Sequence, residues 1–183
     1  MNLNIFLKRR GCMFDSKLVS AILKDYISKF PAKDKESLTL EIDDSSIVIS
    51  LIGDIHSLRI INVLVNVIFK NVDIQNSDQF LVFDLCLAIE ESLINIFKHS
   101  YPKNCGQVEL RVKFETDRIV IKVSDYGEKG HSFNYAEQLK KTPESEFSES
   151  GRGMMIIKKI IDDIKYSTDN DRNTLLLIKK WKG

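Results

Sequence analysis

Between Asp78 and Ser100 the chain has neither Pro nor Gly, and Val82, Leu85, Cys86, Ile89, Leu93, Ile96 and Phe97 recur at three- and four-residue spacing. That period predicts one long helix with an apolar face that must be buried against another layer. On the opposite face lie Asp84, Glu91, Asn95 and Lys98. Taken alone, charged residues opposite an apolar stripe are the wet side of an amphipathic helix. Leu87, Ala88 and Ile94 flank the polar stripe, however, which suggests a cover other than bulk water. A carboxylate, an amide and a base one turn apart suit a partly buried polar ligand or metal ion.

The layer that meets this helix reads as a sheet. From Gln107 to Phe114 the chain alternates, with Val108, Leu110, Val112 and Phe114 inward and Glu109, Arg111 and Lys113 outward. Glu115-Thr116-Asp117 forms a hairpin turn into Ile119, Ile121 and Val123. Upstream, residues 46 to 52 are rich in β-formers, and Asp54 or Ser57 is placed to cap a helix through Leu58, Ile61, Leu64, Val65 and Ile68. Asp78 is placed to cap the long helix in the same way.

Residues 126 to 150 are polar, carry Gly127, Gly130 and Pro143, and have no strong period. A segment this long is a lid or binding loop, with simple disorder as the rival reading. After Gly151-Arg152-Gly153 an apolar helix is expected over 154–164, then a closing strand over 174–181. Residues 1 to about 40 lean towards helix, with Leu18, Ile22, Tyr26 and Phe30 four apart and a stop at Pro31. The order predicts an α+β fold: a two-layer α/β sandwich whose mostly antiparallel sheet is covered on one face by helices. Residues 1–44 form a helical N-terminal extension and residues 45–183 a single domain.

Composition narrows the function classes. At 183 residues and 43% hydrophobic content the chain can bury one good core. The 27 Lys and Arg residues nearly balance 26 Asp and Glu and are scattered, unlike a nucleic-acid footprint. Lys8-Arg9-Arg10 is a short basic cluster that reads as a solvated tail. Three cysteines, Cys12, Cys86 and Cys105, lack metal-type spacing and fit a reducing compartment. The greasiest run, Ile60 to Phe69, contains Asn62 and Asn66 and is too short for a membrane span. With no secretory segment recognised, a cytoplasmic protein is expected.

Two further motifs stand at element ends. Asp125-Tyr126-Gly127 follows the second hairpin strand and, alone, is a strand-ending turn. Ser150-Gly151-Arg152-Gly153 precedes a helix, where glycines let backbone approach a ligand and unpaired amides attract phosphate; alone it is a flexible junction.

Together, Glu-x-x-x-Asn on a long helix, Asp-x-Gly after a hairpin strand, a lid, and Gly-x-Gly opening a helix resemble the nucleotide-binding motifs of the GHKL superfamily of ATPases. The sequence is most similar within it to the small bacterial anti-sigma factor serine kinases. Their Ala-x-x-Glu-x-x-x-Asn-x-x-x-His pattern is matched by Ala88, Glu91, Asn95 and His99. The segment from Gly151 to Asp163 is also similar to theirs, and the resemblance covers residues 45 to 181.

What the resemblance implies is specific. Asn95 holds the Mg2+ that bridges the phosphates of ATP, and Glu91 is the base or water-positioning carboxylate. Asp125 accepts from the adenine amino group, and Gly127 lets the base lie close to backbone. Gly151 and Gly153 admit the phosphates, Arg152 lies within that motif, and Thr174 completes the pocket floor. Lys98 adds neutralising charge or is solvated; His99 reads as a structural helix-end residue. The implied function is an ATP-binding anti-sigma factor and serine/threonine-protein kinase. Such a protein sequesters a sigma factor, phosphorylates a serine of an anti-sigma factor antagonist, and forms a homodimer.

Two alternatives stay open. Many members carry Gly where this chain has Lys129, and some carry Arg where it has Glu149, which suits a non-catalytic interaction module of the same fold. A stand-alone histidine-kinase-type ATPase domain is the other. It lacks an upstream phospho-acceptor, because His56, His99 and His131 are the only histidines.

Overall fold

A computed structural model describes residues 14–72, 80–101, 103, 105–127 and 152–180. Its core is a six-stranded sheet with the order β1-β2-β3-β4-β6-β5, every neighbouring pair antiparallel. The strands are β1 (Leu38–Ile42), β2 (Ser46–Asp54), β3 (Cys105–Phe114), β4 (Arg118–Asp125), β5 (Asp163–Asp169) and β6 (Arg172–Lys180). The helices are α1 (Ser16–Ser28), α2 (Ala32–Glu36), α3 (Leu58–Lys70), α4 (Leu81–His99) and α5 (Arg152–Ile160). The α+β sandwich expected from the sequence is the observed architecture.

The helix layer packs on one face only, and strand alternation decides which residues meet it. Val108, Leu110 and Val112 of β3, Ile119, Ile121 and Val123 of β4, and Leu175 and Leu177 of β6 are all buried there. Each such branched side chain contributes roughly 1.5–3 kcal/mol by leaving water. Glu109, Lys122 and Thr174 project to the other face, as the two-residue period requires. The expected pairing of the hairpin is met, with Val112 opposite Ile121 and Leu110 opposite Val123.

Helix α3 supplies eight buried residues, and its start is fixed by the turn before it. Asp54 accepts from the amides of His56 and Ser57, while the Ser57 hydroxyl reaches back to the Asp54 amide, a capping box on the short 3-10 turn Ile55–Ser57. The proposed cap Asp78 lies outside the described residues. Helix α4 buries Leu81, Leu85, Ala88, Ile89, Ser92, Leu93, Ile96 and Phe97. Val82 and Cys86, expected on that face, are only partly buried. The buried arc reaches Ala88 because α5 lies against α4, so the cover suggested by the flanking apolar residues is a second helix.

Two strands depart from the expectation. The sequence leader holds β1, which pairs with β2 along its whole length, Leu38 opposite Leu51 and Ile42 opposite Ile47. The leader helix α1 buries Val19 and Leu23, whereas Leu18 and Tyr26, read as part of the apolar stripe, are exposed. Asp15 caps α1 by accepting from Lys17 and Leu18 amides, and Phe14 stacks on Phe114 at 5.0 Å, tying the helix to β3. Downstream, α5 ends at Ile160 and the chain turns into β5, so the expected helix over 154–164 is shorter.

Candidate functional site

The site is assembled where the C-terminal half of α4, the start of α5 and the end of β4 meet. Glu91 faces α5, and its carboxylate Oε2 lies directly in the space a Cβ on Gly153 would need. Burial raises the Glu91 pKa, with Glu90 adding to the rise and Lys98 opposing it. A carboxylate shifted upward is a better proton acceptor near neutral pH than an ordinary one. One turn on, the side-chain amide nitrogen of Asn95 is buried and has no hydrogen-bond partner among the described residues. Such an orphan is costly unless something outside the described residues satisfies it. A half-turn of the amide would present its oxygen at the same point.

The third element is Asp125, 3% exposed at the end of β4. Its Oδ1 accepts from the Gly127 amide at 3.0 Å and from Asn173 Nδ2 at 3.0 Å. Burial raises its pKa, and donors from Asn173, Gly127 and the Ser100 hydroxyl pull it back. Gly127 is pressed on the end of α4, so that an added Cβ would meet the Ser100 carbonyl oxygen at 2.5 Å. Tyr101 locks the same corner: its hydroxyl donates to the Gln107 carbonyl and accepts from the Tyr126 amide at 3.0 Å. Burial pushes that phenol up to about 12, which keeps it a neutral donor.

The structure therefore sets Glu91 against Gly153 on facing helices, with Asn95 one turn further along α4, and sets Asp125 and Gly127 against the end of α4. Arg152 opens α5 and is exposed. Gly151 lies outside the described residues, as does the expected lid from residue 128 to 150. Lys98 and His99 lie largely exposed on the last turn of α4, and partial desolvation with the nearby Lys98 charge lowers the His99 pKa.

Thr174 stands elsewhere than expected. Its hydroxyl shares a 3.0 Å hydrogen bond with Ser124 on the face of the sheet away from the helices. The register explains this: Thr174 is opposite Ser124, and Asn173 is opposite Asp125. Asn173 thus takes the position beside Asp125, and nothing but its place two residues before buried Leu175 marks it in the sequence. On the outer face Arg172 pairs with Glu109 at 2.5 Å, donates to Ser124 at 3.1 Å and lies over the Tyr126 ring at 5.6 Å.

Chemically, the corner offers a buried carboxylate to accept from an amino group and an amide with unspent capacity. It also offers a half-buried carboxylate against a glycine at the start of a helix.

The segments that build the site fall within the match to a known family. The histidine kinase-like ATPase domain family matches residues 62–179. Serine-protein kinase RsbW of Bacillus mycoides is 29% identical over 100 residues, 51% of this chain and 61% of the relative. RsbW of Bacillus thuringiensis subsp. konkukian is 28% identical over 100 residues, with the same shares covered. The anti-sigma F factor of Clostridium acetobutylicum is 25% identical over 97 residues, 53% of this chain and 68% of the relative. The chain spans about three fifths of the length of the RsbW relatives it matches.

Proposed function

The chain belongs to the histidine kinase-like ATPase domain family, and from that premise we propose that it binds ATP with Mg2+ and acts as an anti-sigma factor and serine-protein kinase. Similarity to proteins named serine-protein kinase RsbW and anti-sigma F factor supports the class. The observation that carries the site is the apposition of Glu91 and Gly153 beside the orphaned Asn95 amide. Phosphoryl transfer needs phosphate, a cation and a base at one place, and the apposed Glu91 and Gly153 with Asn95 one turn on support this reading.

In this reading Asp125 accepts from the adenine amino group and Gly127 lets the ring approach backbone. Gly151, Arg152 and Gly153 receive the phosphates, and Asn95 would hold Mg2+. The donor set fits that ion, which prefers few protein oxygens and takes the rest from phosphate and water. When bound, Mg2+ neutralises phosphate charge. Glu91 accepts the proton of the attacking serine hydroxyl, the serine oxygen bonds to the γ-phosphorus, and ADP leaves. The serine belongs to a small antagonist protein, and the second partner is a sigma factor. No helix among the described residues is long and apolar enough to cross a membrane.

The test is incubation of the full chain with γ-labelled ATP and a candidate antagonist protein. Phosphoserine on the antagonist that disappears in Glu91→Gln supports the reading. Capture of a sigma factor without any phosphoserine would replace it with a non-catalytic module.

A further inference from the structure

Asn173 is a polar residue at a core position. Leu175 and Leu177, two and four residues on, are buried at 1% and 0%, and Asn173 itself is 5% exposed. A buried amide has to be satisfied at both ends. Its Nδ2 donates to Asp125 Oδ1 at 3.0 Å, and its Oδ1 accepts from Thr168 Oγ1 at 3.0 Å. Register sets this line up, because Asn173 is directly opposite Asp125 on β4 and Thr168 on β5. The ionised Asp125 carboxylate, which can only accept, fixes which end of the amide faces it, and the Thr168 hydroxyl satisfies the other end. A flipped amide would place two acceptor oxygens against each other.

The consequence falls on the carboxylate. The Asn173 and Gly127 donors both converge on Oδ1 and neither uses Oδ2. These two bonds hold the plane of the group, with the Ser100 hydroxyl as a further donor to the carboxylate, and in the nucleotide reading Oδ2 is the oxygen that accepts from the ligand. We propose that Asn173, braced by Thr168, is a positioning residue that makes this site select a 6-aminopurine nucleotide over a 6-oxopurine one. The inference rests on the nucleotide reading above. An exocyclic amino group donates to Oδ2; a carbonyl at the same place sets acceptor against acceptor in a desolvated pocket. Sites built around a specific hydrogen bond reject the analogue that cannot make it. Without Asn173 the carboxyl is free to turn or to hold a proton, and a protonated carboxyl donates to a carbonyl oxygen.

The experiment is calorimetric titration of the full chain with Mg-ATP and with Mg-ITP, its 6-oxo counterpart, for wild type, Asn173→Leu and Thr168→Val. A melting curve accompanies each variant. Wild type is expected to favour ATP by about tenfold or more, in keeping with one hydrogen bond to a charged group. Asn173→Leu should lose about tenfold for ATP and leave ITP within about twofold. Thr168→Val should lose about threefold for ATP and carries the test if Asn173→Leu does not fold. Equal losses towards both nucleotides, or an unchanged ratio in a folded variant, overturn the proposal. A wild type that binds ATP and ITP equally overturns it while leaving nucleotide binding intact. A wild type that binds neither overturns the nucleotide reading and this inference together.

Discussion

The carboxylate of Glu91 occupies the space into which a Cβ on Gly153 would project, so helices α4 and α5 touch at a glycine and an acid. The obstructing atom is the far end of a flexible side chain, which can swing aside. Alanine also suits a helix better than glycine by roughly 0.5–1 kcal/mol. Gly153→Ala should therefore melt at or slightly above the wild-type temperature while displacing Glu91 from the site. Phosphoryl transfer to the antagonist should drop at least about tenfold, measured beside the melting curve.

Gly127→Ala should behave in the opposite way. Its added Cβ meets the Ser100 carbonyl oxygen at 2.5 Å, and backbone cannot rotate out of the way. A loss of about 1–3 kcal/mol of stability is expected, as for other overpacked positions. Urea unfolding of the two alanine variants checks the contrast.

Tyr101→Phe removes a donor to Gln107 and an acceptor for Tyr126 at one stroke. The two backbone groups lose their shared partner, which should cost about 1–3 kcal/mol. The same urea unfolding measures it, and ATP affinity should fall less than in a variant of Asp125 because the phenol holds the corner without touching the base.

Asp125 sets a pH dependence with an unusual sign. Burial raises its pKa above the ordinary 3.8, against the pull of Asn173, Gly127 and Ser100, with neutral Tyr101 nearby. A carboxyl that binds its proton more tightly when folded costs stability while ionised, and that cost is relieved as pH falls through the raised value. Nucleotide affinity moves the other way, because the protonated group no longer accepts freely. From about pH 7.5 downward, Mg-ATP affinity should fall over the range in which this group's contribution to the stability of the apo protein rises. Asp125→Asn should flatten that limb of the affinity curve, as read by calorimetry at several pH values.

Much of this arrangement was legible in the sequence because its strongest elements carry clean periods. Helices α3 and α4 and the β3–β4 hairpin announce themselves through apolar spacing, and the Glu91, Asn95 and Asp125 motifs sit at their ends. Strand β1 was hidden by its length and by a turn without glycine. Leu38, Leu40 and Ile42 alternate, but Asp43 makes the turn by accepting from the Ser45 and Ser46 amides at 2.7 Å each. The expected helix runs into Asp163 and Ile164 at the start of β5, because Ile157, Ile160, Ile161 and Ile164 keep helical spacing there, and the rest of β5 has no expected element. The turn that follows uses Asn170 at φ 53°, a left-handed conformation that asparagine tolerates. Asn173 and Thr174 could be told apart only by register, since one step along a strand exchanges the two faces of the sheet.

The central claim is that Asn95 and Asp125 belong to one Mg-ATP site. Calorimetric titration of the full chain with Mg-ATP, alongside Asn95→Ala, Asp125→Ala and the exposed-residue control Lys98→Ala, tests it most directly. Each of the first two variants should lose at least about tenfold in affinity, with Lys98→Ala staying within about threefold. Wild-type affinity in both Asn95→Ala and Asp125→Ala would contradict the assignment.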